Sequence, residues 1–246
     1  MVKATGVTCV VLAGGLATRM RPITETIPKS LIPINGRPFV KIQLEWLSKQ
    51  LVTDVIFSIG YKGTMIQDVV GDGTEFGLRV VYVDEGELLR GTGGALKFCF
   101  KQGVLPEKFF VLYGDSFLPI SFPEVWTSFD RQEKPALMTV FENSGKWDKS
   151  NVCFEDEKIV LYDKHQKVKT HLRMNHIDYG LSILSRPIVE DWLPEPVLGE
   201  KTDLAEVFHT LSQRGLLAGY EVKERFYEIG SLKGLSDFEK WDRENR

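Results

Sequence analysis

The chain has 246 residues, of which 43% are hydrophobic and 26% charged, and its formal net charge is -3. This balance is typical of a globular protein with a sizeable core, and it excludes a disordered chain and a strongly basic nucleic-acid-binding protein. The apolar stretch at residues 7–13 is too short for a signal sequence or a membrane span. We therefore expect a single domain over residues 1–246, in the cytoplasm, with neither nucleic acid nor membrane as a partner.

Apolar runs alternate with amphipathic segments in chain order. The runs predict strands at Thr8–Leu12, Asp54–Ile59, Arg79–Val83, Phe109–Tyr113, Ala136–Phe141, Ile177–Leu184 and Leu217–Val222. The segments predict helices at Phe39–Gln50, Thr64–Val70, Gly94–Phe100, Leu204–Gln213 and Leu232–Asp242. Strand and helix alternate in the first half, so we expect an α/β fold whose mainly parallel sheet has helices on both faces.

The second half is less regular. Two short apolar runs, Val152–Phe154 and Ile159–Leu161, flank an acidic turn and predict a β-hairpin. We expect this hairpin over the carboxyl edge of the main sheet, where open α/β folds bind ligands. The three cysteines, Cys9, Cys99 and Cys153, are far apart and form no CxxC pair, so we expect buried reduced thiols.

The first predicted strand runs directly into a glycine-rich segment, residues 12–22, which reads LAGGLATRMRP. Two successive glycines allow backbone N–H groups to approach a phosphate or a base closely. Arg19 and Lys29 add the positive charge that suits a triphosphate. Neither GxGxxG nor GxxxxGK[ST] is present, which disfavours a dehydrogenase and a P-loop kinase. Taken alone, the segment could equally be a tight turn followed by solvated charges.

Two further segments carry residue types suited to phosphate chemistry. The strand ending at Tyr113 is followed by Gly114-Asp115, which places a carboxylate at a strand's carboxyl tip, where it could hold Mg²⁺ beside a substrate phosphate. A second glycine cluster, residues 91–94, opens a helix and is suited to contact a planar base or an anion. The alternative for the Gly-Asp pair is an ordinary turn.

The segment Leu12–Lys29 resembles throughout the signature LAGG-x-[GA]-TR-[LM]-x-P-x-T-x-x-x-PK of the sugar-1-phosphate nucleotidyltransferases. This resemblance implies a Rossmann-like, GT-A-like fold with a mixed sheet. It also implies that Arg19 and Lys29 neutralise the triphosphate and that one loop contacts the nucleotide through Leu12, Ala13, Gly14 and Gly15. Ala17 stands where the family more often has glycine, and we expect no consequence from this exchange.

The same resemblance assigns roles to later residues. Asp115 matches the family's metal-binding Gly-Asp element, and Glu228 in FYEIGS stands where aspartate is commoner as the second metal carboxylate. The longer glutamate could bind the metal directly or through water, or could be an exposed side chain before a helix. The family's base-binding element corresponds to Gly91, Thr92, Gly93 and Gly94, although Arg90 replaces the usual leucine before it.

On the sugar-phosphate side, Leu161-Tyr162-Asp163-Lys164 resembles the family's [FY]-x-[ED]-K element. The resemblance implies that the acid of this element binds sugar hydroxyls and that its lysine binds the sugar's phosphate. An exposed Asp-Lys pair is the alternative. The further sugar-phosphate-binding candidates are Glu85, Asn151, Asp178 and Tyr179.

The expected reaction is Mg²⁺-dependent transfer of a nucleotidyl group from a nucleoside triphosphate to a sugar-1-phosphate. Residues GDGTEFG at 71–77 and the YEIGS segment resemble enzymes that use GTP with mannose- or heptose-1-phosphate. UTP with N-acetylmuramate-1-phosphate, dTTP with glucose-1-phosphate, and a non-catalytic regulatory homologue remain alternatives. Relatives commonly form dimers or tetramers, and the oligomeric state of this chain stays open.

Overall fold

A computed structural model describes residues 6–143, 145, 147, 149–166, 168, 171–195, 197 and 199–245. The chain divides into two compact units. Unit 1 comprises Met1–Leu89, Leu112–Leu118 and Phe226–Arg246, and unit 2 comprises Arg90–Val111 and Pro119–Arg225. The single domain that we expect over residues 1–246 stays a prediction, and each of the two units is described by itself.

Strands and helices alternate along the described chain. The strands are β1 (Val7–Leu12), β2 (Pro33–Ile34), β3 (Arg37–Pro38), β4 (Val52–Ile59), β5 (Arg79–Asp84), β6 (Lys108–Tyr113), β7 (Ser116–Phe117), β8 (Ala136–Glu142), β9 (Val152–Glu155), β10 (Lys158–Tyr162), β11 (His176–Ser185), β12 (Leu217–Val222) and β13 (Tyr227–Glu228). The α-helices are α1 (Phe39–Ser48), α2 (Gly63–Val70), α3 (Gly91–Lys101), α4 (Phe122–Gln132), α5 (Leu204–Gln213) and α6 (Leu232–Asn245). Short 3₁₀ turns lie at Thr18–Met20, Ile23–Glu25, Lys29–Leu31 and Thr74–Phe76, and a π turn lies at Ile188–Trp192.

Unit 1 contains a parallel sheet in the order β5-β4-β1. Its central residues are apolar on both faces, and Cys9, Val10, Val11 and Val55 are fully buried. Continuous apolar strands of this kind are expected where helices cover both faces of a parallel sheet. The carboxyl ends of these strands therefore carry the loops in which Gly14 and Glu85 lie.

A second core of unit 1 is aromatic and joins α6 to the ribbon formed by β7 and β13. Phe238 of α6 is fully buried, and its ring lies 4.9 Å from Phe117 and 5.4 Å from Phe39, between ring centroids. Ile229, directly after β13, belongs to the same cluster. This packing fixes the ribbon and hence the turn at Asp115 that precedes β7.

Unit 2 contains the strands β11, β8, β12, β10 and β9 in that order, and β9 also pairs with β11. β8 runs parallel to β12 and antiparallel to β11, so the sheet is mixed, as predicted. The predicted hairpin forms as β9 and β10, with Asp156 and Glu157 in left-handed conformations at its turn. Unlike the expectation, its strands are part of the sheet of unit 2, because β10 pairs with β12 and β9 with β11.

The predicted strands and helices form within a few residues of their expected bounds, but α4 was missed. Its start carries a recognisable signal, because Ser121 accepts a hydrogen bond from the N–H of Glu124 and Pro123 occupies the first turn. The three cysteines are buried free thiols, as expected. Among the described residues, no helix is both long and apolar enough to cross a membrane.

Candidate functional site

The glycine-rich loop leaves the carboxyl end of β1 in unit 1. Ala13 N–H donates to the carbonyl of Ser58 at 2.8 Å, and the loop then passes close to Glu85. A methyl group on Gly14 would lie 2.9 Å from Glu85 Oε1, whereas one on Gly15 would meet nothing within 4 Å. Close packing against Glu85 therefore favours glycine at position 14, and the space beside Gly15 is open to a ligand.

Ala17 departs from our expectation. Its φ of 49° and ψ of 42° lie in the left-handed region, where an alanine side chain is strained and a glycine is not. The exchange of glycine for alanine therefore has a conformational cost, contrary to the prediction that it has no consequence. The carbonyl of Ala17 accepts hydrogen bonds from Thr24 Oγ1 and from the N–H of Met20, which hold this conformation.

Arg19, Lys29 and Asp115 converge on one point in unit 1. Lys29 Nζ lies 2.7 Å from Asp115 Oδ2. A methyl group on Gly230 would lie 3.4 Å from that oxygen, 3.6 Å from Arg19 Nη2 and 3.7 Å from Lys29 Nζ. We call these three charged side chains, together with Gly230, the charged centre. Two cations and one carboxylate around a side-chain-free position form a site suited to a phosphate and its counter-ion.

Gly230 is a site residue that our sequence reasoning missed. It lies in the FYEIGS segment, from which only Glu228 was selected. The available signal was a glycine two residues after a predicted metal carboxylate. The backbone of Gly230 is not in the left-handed region, so the conformational freedom of glycine is not needed there. The space that a missing side chain leaves beside Asp115, Arg19 and Lys29 explains this glycine better.

Of the two predicted metal carboxylates, Asp115 lies in the turn between β6 and β7, and Glu228 lies on β13, which pairs with β7. Glu228 of β13 pairs with Ser116 of β7, the residue after Asp115, and Glu228 is exposed. The described residues include no group of three or more His, Cys, Asp or Glu side chains placed to bind a metal. Mg²⁺ needs only one or two carboxylates when phosphate oxygens and water complete its shell, so Asp115 and Glu228 fit that ion as a donor set.

Glu85 belongs to unit 1, whereas the other candidates for the sugar-phosphate side belong to unit 2. It is 6% exposed, and Ser58 Oγ donates to its Oε1 at 3.1 Å. Its neighbour is Gly14 of the nucleotide loop. The structure thus groups Glu85 with the predicted nucleotide-binding residues.

The second glycine cluster packs against Thr202 in unit 2. The N–H groups of Gly93 and Gly94 donate to the carbonyl of Thr202 at 2.9 and 3.3 Å. A methyl group on Gly91, whose φ is +76°, would lie 2.6 Å from the same oxygen. The close approach of the Thr202 backbone therefore explains Gly91, and base binding by the cluster stays a prediction.

Asp203 contacts Lys164, Thr92 and the first turn of α5 in unit 2, and our sequence reasoning missed it. Its carboxylate lies 2.5 Å from Lys164 Nζ, accepts from Thr92 Oγ1 at 3.1 Å, and caps α5 by accepting from the N–H of Ala205. Burial raises the pKa of Asp203, but the hydrogen bonds from Lys164, Ala205 and Thr92 outweigh burial, so its pKa lies below the usual value. An aspartate directly before an apolar helical run was the available signal.

A hydrogen-bonded group at the ends of the hairpin strands and on β11 contains the candidates Asn151, Asp163 and Asp178. Asn151 Oδ1 accepts from the N–H of Asp178 at 3.1 Å, and its carbonyl accepts from the N–H of Asp163 at 2.8 Å. Burial raises the pKa of Asp178 to about 6, against the hydrogen bond from Gly180 N–H and the charge of Lys164.

Tyr179 differs from Asp178, its neighbour on β11. It is 2% exposed, and its ring packs near that of Phe141, with 6.3 Å between centroids. Successive residues of a strand point to opposite faces. Tyr179 therefore belongs to the core of unit 2, and its predicted contact with a sugar gains no support from this position.

A parallel α/β unit with a glycine-rich loop and a charged centre at its strand ends defines a nucleotide-binding enzyme of the α/β class. The profile of the nucleotidyl transferase family matches residues 8–150, more than half of the chain. The chain therefore belongs to this family of nucleotidyltransferases, which confirms the resemblance to the sugar-1-phosphate enzymes.

Relatives and solved structures agree with this assignment. The D-glycero-alpha-D-manno-heptose 1-phosphate guanylyltransferase of Campylobacter jejuni is 28% identical over 222 residues, which cover 90% of this chain and 93% of that protein. The enzyme of the same name from Aneurinibacillus thermoaerophilus is 30% identical and covers 74% and 76%. A uridylyltransferase for glucose-1-phosphate from Synechocystis sp. also matches, at 27% identity, over 84% of this chain and 55% of that protein.

The crystal structure of HddC from Yersinia pseudotuberculosis superposes with a TM-score of 0.78 and 26% identity, and the match covers 96% of this chain and 99% of that chain. The two chains thus share the fold over almost their whole length. The mixed α/β fold predicted from the sequence is confirmed.

Proposed function

We propose that this protein transfers a nucleotidyl group from a nucleoside triphosphate to a sugar-1-phosphate and releases pyrophosphate. The observation that carries this proposal is the charged centre, where Arg19 Nη2, Lys29 Nζ and Asp115 Oδ2 surround Gly230. An oxygen of the sugar phosphate attacks the α-phosphorus, a new P–O bond forms, and the bond to the β-phosphate breaks. The attacking phosphate is already ionised, so the reaction requires alignment and charge neutralisation rather than a general base.

The residues of unit 1 would hold the triphosphate. Arg19 and Lys29 neutralise its negative charge and stabilise the leaving pyrophosphate. Asp115 and Glu228 would hold Mg²⁺, which when bound screens the α-phosphate from its anionic attacker. The salt bridge from Lys29 keeps the carboxylate of Asp115 turned toward the charged centre in the absence of that ion.

The residues of unit 2 would hold the sugar-1-phosphate. Lys164 is half-exposed and carries the positive charge that the sugar's phosphate requires. Asp163, Asn151 and Asp178 supply hydrogen-bond acceptors for sugar hydroxyls. We propose GTP and a heptose- or mannose-1-phosphate as substrates, supported by the two guanylyltransferase relatives. UTP with glucose-1-phosphate is the second candidate, supported by the uridylyltransferase match.

The substitution Asp115→Asn tests the proposed reaction. The variant keeps the shape of the side chain but loses the charge that would hold Mg²⁺ and pair with Lys29, so we expect pyrophosphate release to fall at least about a hundredfold. The measurement is pyrophosphate release with Mg²⁺ present.

Asp130→Asn is the matched control, because Asp130 forms a comparable pair with Lys108 at 2.8 Å in unit 2. This control should retain the parent rate. Parent-like turnover by Asp115→Asn would refute the metal assignment.

A panel of triphosphates combined with sugar-1-phosphates identifies the substrates. Turnover limited to GTP with a heptose- or mannose-1-phosphate is the expected result. If the parent protein releases no pyrophosphate with any pair but binds a sugar nucleotide tightly, the proposed activity is wrong and the protein is a non-catalytic binding homologue.

A further inference from the structure

The turn that carries Asp115 is held by backbone hydrogen bonds on two sides. On one side, the N–H of Gly114 donates to the carbonyl of Leu12 at 2.9 Å. On the other, the carbonyl of Asp115 accepts from the N–H of Ile229 at 3.0 Å. The carboxylate of Asp115 therefore takes its direction from a turn, and any movement of that turn would move the carboxylate relative to Arg19 and Lys29.

A third contact to this turn comes from the side chain of Gln43 in the middle of α1. Its Nε2 donates to the carbonyl of Ser116 at 2.8 Å and to the carbonyl of Tyr113 at 3.2 Å. These two carbonyls flank the Gly114-Asp115 pair on either side. Because both partners are acceptors, the amide must present its NH₂ group to them, which fixes its orientation.

The other end of the same amide is unsatisfied. Gln43 is 1% exposed, and its Oε1 is buried with no hydrogen-bond partner among the described residues. A buried acceptor without a partner destabilises the folded state, which offsets part of what the two donated bonds contribute. An apolar side chain of equal length would avoid that loss, but it would leave the carbonyls of Tyr113 and Ser116 without this donor. The contacts that favour glutamine at this position are therefore the two bonds to the Asp115 turn.

We propose that Gln43 is a positioning residue for Asp115. It holds the two carbonyls that flank Asp115 at a fixed separation, so that the carboxylate points at the charged centre and at the metal that would bind there. This inference rests on the proposed function. Small displacements of a group in a catalytic arrangement have large effects on rate, so a looser turn would weaken metal binding without unfolding the protein.

The test compares Gln43→Met with Gln132→Met in the full-length protein. Gln132 is a matched control in unit 2, where its Nε2 donates from α4 to Ser128 Oγ at 3.1 Å and to the carbonyl of Gly219 at 3.0 Å. A milder variant, Gln43→Asn, keeps the amide but shortens its reach by one methylene. The readouts are the Mg²⁺ concentration for half-maximal pyrophosphate release and, without substrate, the hydrogen-exchange rates of the Gly114 and Ile229 amides.

We expect Gln43→Met to raise the half-saturating Mg²⁺ concentration about tenfold and to accelerate exchange of both amides by a similar factor. Gln43→Asn should shift both quantities in the same direction by less, and Gln132→Met should shift neither. Parent-like Mg²⁺ dependence in Gln43→Met, or equal shifts in Gln43→Met and Gln132→Met, would overturn the inference.

The two proposals fail in different ways. If the parent releases pyrophosphate and Gln43→Met behaves like it, the inference is wrong and the proposed function stands. If the parent releases none, the proposed function is wrong, and the amide exchange of the turn still decides whether Gln43 holds it.

Discussion

Gly230 is the member of the charged centre that carries no side chain. The absence of a side chain leaves open the point on which Asp115, Arg19 and Lys29 converge. A methyl group there would be in ordinary contact with all three, since the distances range from 3.4 to 3.7 Å. The fold would accept an alanine, but a phosphate oxygen or a metal would lose its place.

Gly230→Ala should therefore separate function from stability. We expect the rate of pyrophosphate release at limiting triphosphate to fall at least about tenfold, because the methyl group occupies the ligand's position. The free energy of unfolding should change by less than about 1 kcal/mol, because no clash arises. Thermal denaturation and steady-state kinetics on the same preparation measure both, and an unchanged rate would contradict the proposed role of the charged centre.

Among the elements, the short β2–β3 hairpin and α6 are joined by one side chain of unit 1. Asn35, with a φ of 47° at the hairpin turn, donates through Nδ2 to the carbonyl of Glu239 at 2.9 Å and to Asp242 Oδ2 at 2.8 Å. Its Oδ1 accepts from Arg243 Nη1 at 2.8 Å. These contacts hold α6, whose Phe238 packs on the ribbon that carries the Asp115 turn.

Asn35→Ala should destabilise the protein by about 2–3 kcal/mol, because it removes three hydrogen bonds and leaves an alanine in the left-handed region. Urea denaturation measures the loss. Asn245→Ala is the matched control, since Asn245 Nδ2 makes one exposed bond to the carbonyl of Trp241 on the same helix, and its effect should stay below about 0.5 kcal/mol. Equal losses in the two variants would show that Asn35 does not hold α6.

At the scale of the whole molecule, Asp178 links stability to pH. Its pKa rises from the usual 3.8 to about 6, because burial disfavours the charged form. Between these values the folded protein binds more protons than the unfolded chain. The stabilisation that proton binding by Asp178 contributes is therefore fully present below pH 3.8 and is lost as the pH rises through 6.

Asp178→Asn should remove this dependence. A two-unit shift corresponds to roughly 3 kcal/mol, but the side chain is partly accessible to water, so we expect the variant to be about 1–2 kcal/mol more stable than the parent at pH 8. At pH 4 the gain should vanish, because the parent carboxyl is then protonated. Urea denaturation at the two pH values measures the difference, and an equal gain at both would refute the assignment to Asp178.

The sequence by itself determined the type of fold and selected the three charged residues of the charged centre. Apolar periodicity located β1, β4, β5 and the other long strands, because burial on both faces requires continuous apolar runs. The resemblance of residues 12–29 to one family located Arg19 and Lys29, and the strand-end position located Asp115. These features are local, so a linear pattern is sufficient to reveal them.

Only the tertiary structure decided which distant residues meet. Gln43 contacts Ser116, which lies 73 positions further along the chain. Gly230 lies beside Asp115, 115 positions away, and Asp203 contacts Lys164, 39 positions away. Unit 1 itself is assembled from three separate segments of the chain. Periodicity and motifs carry no information about such pairings, because the contacts arise only when packing brings the segments together.

The structure also decided the consequence of Ala17 and the place of Glu85. The left-handed backbone of Ala17 is held by the hydrogen bonds that its carbonyl accepts from Thr24 and Met20, and a linear pattern does not reveal these bonds. Glu85 was predicted on the sugar-phosphate side. Parallel pairing of β4 and β5 places its backbone N–H on the carbonyl of Ile59 and its side chain against Gly14. At strand ends, proximity along the chain does not predict which residues lie close in space, because the order of strands in the sheet sets which loops lie side by side.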